Sequence, residues 1–209
     1  MIEEILPGIF HWTQAHPKIG MAVSSYYLLP ERVLIDPLIP DEGLEWFADH
    51  PPENILLSIR HHYRHCAEFE EKYSCKVWCV EQGLHEFTNG ELVEAFNFGD
   101  VLPGSIRAVE IGSICPDEGA LFINREGGCV VLADGCVRKK IDGPLQFVPD
   151  SLLGEDPIAV RVGLIAAYTH LLEEYYFEHV LLSHGGPIIA DGRAQLEAFL
   201  RNSAPESVK

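Results

Sequence analysis

The chain has 209 residues, 47% of them hydrophobic, enough for one well-filled domain core. Fifteen Lys and Arg face thirty-two Asp and Glu, giving a formal net charge of −17 at pH 7. Such a surface repels nucleic acid and anionic membranes; a small anionic molecule stays admissible as a partner only where a local basic pocket exists.

In chain order, MIEEILPGIF is acidic and lacks the basic start and long apolar stretch of a secretory signal, so a cytoplasmic location is expected. No apolar run approaches the ~18 residues that a membrane-spanning helix needs. GIFHWT, AVSSYYLLP and RVLID read as short strands with turn residues between them. Asp36-Pro37 closes the last of these. DEGLEWFADH (41–50) reads as a helix, with an acidic first turn, Leu44, Phe47 and Ala48 on one face, and Pro51-Pro52 as its stop. NILLSI is a buried strand, a helix follows from about Arg64 to Tyr73, KVWCVE is a strand, and a short helix or turn surrounds His85.

FNFGDVLPG reads as a turn between strands, and IRAVEI, GALFIN and GCVVLAD as three strands, the last two joined by a REGG hairpin turn. Residues 136–157 are loop-rich, a length that suggests a lid or insertion. Their Arg138, Lys139 and Lys140 read as a solvated turn or as part of an anion site. Ile158 to Glu174 has helical spacing, HVLLSH is a buried strand ending at His184, and ADGRAQLEAFLRN is a terminal helix. A frayed tail is expected over 200–209, and a single domain over 1–209. The six cysteines, Cys66, Cys75, Cys79, Cys115, Cys129 and Cys136, form no CxxC pair, which argues against a zinc ribbon and for reduced thiols.

Four polar motifs stand at the C-terminal ends of strand-like runs: Asp36 after VLI, RHHYRH after LLSI, Asp134 after VVLA, and His184 after VLLS. Each alone reads as a turn or loop residue. Their order resembles the metallo-β-lactamase superfamily over most of the chain, from VLIDPLIP to SHGGPI. The resemblance implies an α/β fold of the α+β kind, a four-layer αββα sandwich of two mixed sheets with outer helices. It places the family's HxHxDH ligand segment on Arg60-His61-His62-Tyr63-Arg64-His65 and the third ligand element on Ile114-Cys115-Pro116-Asp117. The bridging Asp falls on Asp134 and the final His on His184.

By the same resemblance the first of two metal sites keeps His62 but has Arg60 and Ile114 at its other two positions. The second keeps His65, Asp134 and His184, with Arg64 in place of an Asp. At most one divalent ion, zinc, manganese or iron, is therefore expected, on ligands drawn from His62, His65, Asp134 and His184. The alternative is a metal-free network in which a guanidinium pairs with Asp134. Arg60 and Arg64, with Asp134, are the candidate catalytic residues, and Asp36 and Cys115 the residues expected behind the ligands. His61 is expected to face away from the site; Tyr63 is left open. Two functions follow: a hydrolase for a small anionic ester, thioester, lactone or phosphoester, or a non-catalytic pocket that binds an anion without metal. A two-iron redox centre would need nearly all the ligands, and the arginines count against it. The oligomeric state is not legible.

Overall fold

The computed structural model describes residues 1–15 and 22–203. Among these described residues twelve strands form two sheets. The first contains β1 (Glu3–Leu6), β2 (Ile9–Ala15), β3 (Ala22–Leu28), β4 (Val33–Ile35), β5 (Asn54–Leu56), β6 (Lys76–Val80) and β7 (Val93–Phe96), in sequence order across the sheet. It is antiparallel through β4 and parallel from β4 to β7. The second contains β8 (Val101–Leu102), β9 (Ile106–Glu110), β10 (Gly119–Ile123), β11 (Cys129–Leu132) and β12 (His179–Leu182), with only β11 and β12 parallel. The helices are α1 (Cys66–Tyr73), α2 (Pro157–Glu174) and α3 (Gly192–Ser203).

Alternating apolar residues explain the layers. Ile35, Leu56, Leu121, Val131 and Leu181 meet between the two sheets. The outer face of the first sheet buries Trp12, Tyr27 and Val77 against Phe69 of α1 and Phe47. The outer face of the second buries Leu132 and Val180 against Leu164, Tyr168 and Leu171 of α2 and Leu196 of α3. These are the four layers of the αββα sandwich. The REGG turn joins β10 to β11, with Ile123 opposite Cys129.

Two expectations change, and one strand is added. The 41–50 segment is a single 3₁₀ turn over Leu44–Phe47, because Gly43 (φ 75°) starts it late and Pro51-Pro52 leave it no length. The N-terminal acidic segment is an additional edge strand, β1, paired to β2. The terminal helix continues to Ser203, so residues 200–203 are helical, and the remainder of the expected tail lies outside the described residues. All six cysteines are free, and five are buried. Among the described residues no helix is long and apolar enough to cross a membrane.

Parallel neighbours end side by side, and this places the site. β4 and β5 deliver Asp36 and Ser58; β11 and β12 deliver Asp134 and Ser183-His184. The two sheets are stitched at this end by a Val23–His184 bridge and by the Ser24 N–H, which donates to the Ser183 carbonyl at 2.9 Å.

Candidate metal and anion site

His62 lies in a short 3₁₀ turn, Arg60–His62, that follows β5 and precedes α1. Its ring is buried between two carboxylates. Nδ1 lies 2.9 Å from Asp36 Oδ2 and Nε2 lies 3.1 Å from Asp134 Oδ1. His184 Nε2 approaches the same Asp134 oxygen at 2.9 Å. One donor atom from each of His62, Asp134 and His184 falls within 4.8 Å of the others, the one such group among the described residues.

The geometry behind His62 fixes its tautomer. Asp36 is 1% exposed and its carboxylate is fully engaged. Oδ1 accepts the Ser58 backbone N–H at 2.9 Å. Oδ2 accepts the hydroxyls of Ser58 at 2.6 Å and Ser183 at 2.7 Å, and faces His62 Nδ1. An ionised carboxylate only accepts, so Nδ1 carries a proton and a metal ion would take the lone pair at Nε2. Without one, burial and the Arg64 charge work to lower the His62 pKa, and the flanking Asp36 and Asp134 carboxylates outweigh them and raise it. Burial works to raise the Asp36 pKa, but the facing His62, the Arg64 charge and the Ser58 hydroxyl outweigh it and bring it down to about 2. Asp134 is likewise held well below the usual carboxylate range: burial opposes this, and His62 and His184 overcome it.

The donor set fits a metal ion. Asp134 Oδ1 is buried and meets both imidazole nitrogens, His62 Nε2 at 3.1 Å and His184 Nε2 at 2.9 Å. Two imidazole nitrogens and a carboxylate oxygen converging on one point suit a shared cation. Two imidazoles and a carboxylate are also the donor types that bind zinc, manganese or iron.

His65 is not in the group. It caps α1, and its Nδ1 accepts the Ile39 N–H at 2.9 Å. The reason is local: Arg64 takes a left-handed backbone (φ 45°), a costly conformation for a side chain of this size, and the chain swings His65 toward the 36–39 loop. The cluster therefore mixes ligands that the resemblance had assigned to two different sites.

Neither arginine pairs with Asp134, so the guanidinium–Asp134 contact of the alternative reading does not form. Arg60 forms an ion pair with Asp117, which is wholly buried and also accepts the Arg60 backbone N–H at 2.9 Å. Its Nε lies 3.6 Å from Glu86. Arg64 NH1 donates to the carbonyls of Ser24 at 2.9 Å and Asp36 at 2.6 Å, while its NH2 is buried without a partner. Burial lowers the Arg64 pKa, opposed by Asp36 and Asp134, and the group stays charged.

A cleft of about 440 Å³ opens over these groups, walled by Arg60, Arg64, His62, Asp134 and His184, with Glu86 and Glu91 also lining it. His61 also lines it, against expectation, exposed at the rim beside the buried His62. Tyr63 joins the same wall and donates to Glu70 at 2.8 Å. Cys115 sits beside Asp117 and Arg60 and is not one of the clustered donors; burial first, then Asp117, pushes its thiol up to about 12, so it is no nucleophile at neutral pH. Burial likewise holds Cys66 as a core thiol. Arg138 is buried rather than solvated and is spent on the carbonyls of Gly143, Gly186 and Pro187, bracing the loop after His184; Lys139 and Lys140 are exposed. There Gly185 (φ 95°) is required, since a Cβ would meet the Arg138 carbonyl oxygen at 2.5 Å.

Sequence reasoning missed Ser58, Ser183, Asp117 and Glu118. The serines had a signal: LLS precedes both the RHH segment and His184, and both hydroxyls reach one Asp36 oxygen. Glu118, wholly buried, accepts the Gly135 N–H at 2.8 Å and the Ile114 N–H at 3.0 Å, tying the Asp134 loop to the 111–118 loop. Burial is the largest influence on it and raises its pKa from 4.5 to about 7, against the pull of those N–H groups. A carboxyl with a raised folded-state pKa contributes stability fully below about pH 4.5, and that stability is lost as the pH rises through about 7. The loss expected is about 3 kcal/mol. Denaturant titrations at about pH 5 and about pH 8 check it: Glu118→Gln should erase that part of the pH dependence. An identical pH dependence in the variant would refute the assignment.

No family model and no curated protein matches this sequence. Solved structures do match over nearly its whole length. A B3 metallo-β-lactamase with an active-site glutamic acid is 13% identical, with a TM-score of 0.66 over 97% of this chain and 86% of its own. A β-lactamase domain protein from Burkholderia ambifaria is 17% identical, with a TM-score of 0.65 over 96% of this chain and 75% of its own. The flavodiiron protein from Giardia intestinalis is 10% identical, with a TM-score of 0.70 over 97% of this chain, which spans only 59% of that longer protein. With two mixed sheets, outer helices and a His/Asp/His group at the strand ends, the chain has the metallo-β-lactamase fold in a sequence-divergent form.

Proposed function

We propose that the chain is a hydrolase with a one-ion centre on His62, Asp134 and His184, acting on a small anionic ester-type substrate. One observation carries this reading: donor atoms, one each from His62, Asp134 and His184, converge within 4.8 Å, with Asp134 Oδ1 at 3.1 and 2.9 Å from the two imidazole nitrogens. Three protein ligands with a cleft above them match the open pattern of catalytic sites rather than the closed four-ligand pattern of structural ones. A divalent ion there supplies Lewis acidity and a water that ionises near neutral pH.

The chain's own groups do the rest. Asp36 keeps the proton on His62 Nδ1, so Nε2 stays a donor of electrons. Ser58 and Ser183 hold the Asp36 carboxylate so that it cannot turn away. Arg64, charged and with one nitrogen unpartnered, supplies the positive field that draws an anionic group into the cleft. Arg60 does not, because Asp117 and Glu86 already neutralise it.

Equilibrium dialysis against zinc, manganese and iron(II), followed by elemental analysis, tests the centre. One ion per chain is expected for the wild type, and His65→Ala should keep it. Asp134→Asn should weaken binding more than about a hundredfold, beyond the cost of losing a residue behind the ligands. Absence of binding for all three metals would remove the hydrolase reading. It would favour the second reading, a metal-free anion pocket, for which Arg64, lining the cleft without a carboxylate partner among the described residues, is the specific support.

A further inference from the structure

A second chamber of about 270 Å³ adjoins the cleft, and its lining is of another kind. Its walls are Ile59, Ile114, Cys115, Val148 and Leu152. Val148 and Leu152 come from the loop-rich 136–157 segment, which folds over this side of the site and is anchored beneath by Val137 and Leu153. Arg60, His61 and Asp134 line both chambers and so form the boundary between them. At that boundary Arg60 is already paired with Asp117, leaving little free positive charge on the apolar side. Arg64, which pairs with no carboxylate among the described residues, lines the large cleft and not the small chamber.

We infer that this chamber is a subsite for a short apolar substituent of the substrate, on the far side of Asp134 from Arg64. The substrate class is then an amphipathic anion: a charged end in the Arg64 cleft and a short alkyl or aryl group against Ile114, Val148 and Leu152. The volume supports a substituent and not a whole ligand, since small-molecule sites span about 300–1,000 Å³ and this chamber falls below that range. Leu152 lines the chamber at 61% exposure, an apolar side chain in water that an apolar occupant would cover. The inference rests on the one-ion reading only for where the scissile bond lies; the apolar subsite itself is independent of the ion.

The test is calorimetric titration with straight-chain carboxylates from acetate to octanoate, on zinc-treated and on chelator-treated protein. Affinity should rise about fourfold per methylene, the gain from burying one CH₂, until the chamber is filled, and then level off. Leu152→Asp alters an exposed side chain and should flatten the series; Ile114→Trp should move the levelling point to shorter acids. A series flat in both protein forms overturns the inference, as does a gradient untouched by both substitutions. A gradient without zinc binding upholds the subsite and removes the one-ion reading. Zinc binding with a flat series does the reverse.

Discussion

Replacing Asp36 by Asn should unfasten the site and destabilise the fold together. Asp36 accepts four hydrogen bonds from three residues, and Asn can accept at only one of its two terminal atoms. If its NH₂ takes the Oδ1 position, it confronts the Ser58 N–H, donor against donor. If it takes the Oδ2 position, the serine hydroxyls rotate to accept, and His62 must shift its proton to Nε2. That shift removes the lone pair facing Asp134, so His62 ceases to be a ligand in its neutral form. Loss of a partner behind a metal ligand costs about 10–100-fold in metal affinity, and that is the expected effect on zinc binding. Charge-assisted hydrogen bonds contribute roughly 1.5–3 kcal/mol each, so a stability loss of about 2–4 kcal/mol should accompany it. Denaturant titration and competitive zinc titration of the same preparation measure both. Unchanged zinc affinity in Asp36→Asn would show that Asp36 does not set the His62 tautomer.

The strand ends were legible because their chemistry is local. VLID, LLSI, VLAD and VLLSH each read as an apolar run that stops at a polar group, and parallel pairing of β4 with β5 and of β11 with β12 makes those stops converge. The layers followed from the same runs. The choice between His62 and His65 was not legible, because it depends on a 3₁₀ turn and on the left-handed Arg64 that follows it. Spacing within RHHYRH is the same whichever histidine turns inward. Nor could the arginines be assigned partners: Asp117 lies 57 residues from Arg60, and a partner at that separation is set by the fold, not by its neighbours in sequence. The 41–50 segment failed for another reason. Its apolar residues suit a helix, but Trp46 and Phe47 both join the aromatic cluster with Tyr27, which one tight turn achieves.

Removing Asp117 should be among the most destabilising substitutions near the site. The Arg60–Asp117 pair joins the turn that carries His62 to the 111–118 loop, the two segments on which the resemblance places first-site ligands. A metal ion cross-links such segments through its ligands; here a guanidinium and a carboxylate do so, with a backbone N–H as the second tie. The Asp117 side chain is fully buried and that of Arg60 is 17% exposed, so Asp117→Ala leaves a mostly desolvated cation and an orphaned amide. Breaking a buried pair from one side costs about 3–5 kcal/mol. Exposure of Arg60 and its distant contact with Glu86 place the expectation at the low end, about 3 kcal/mol. Replacing both partners, in Arg60→Leu with Asp117→Leu, should cost less than Asp117→Ala alone, because no buried charge is left unpaired. Denaturant unfolding of Arg60→Leu, Asp117→Leu and the double variant closes the cycle. If the double variant loses as much as the two singles added together, the residues do not act as a pair, and the segments must be held by something else.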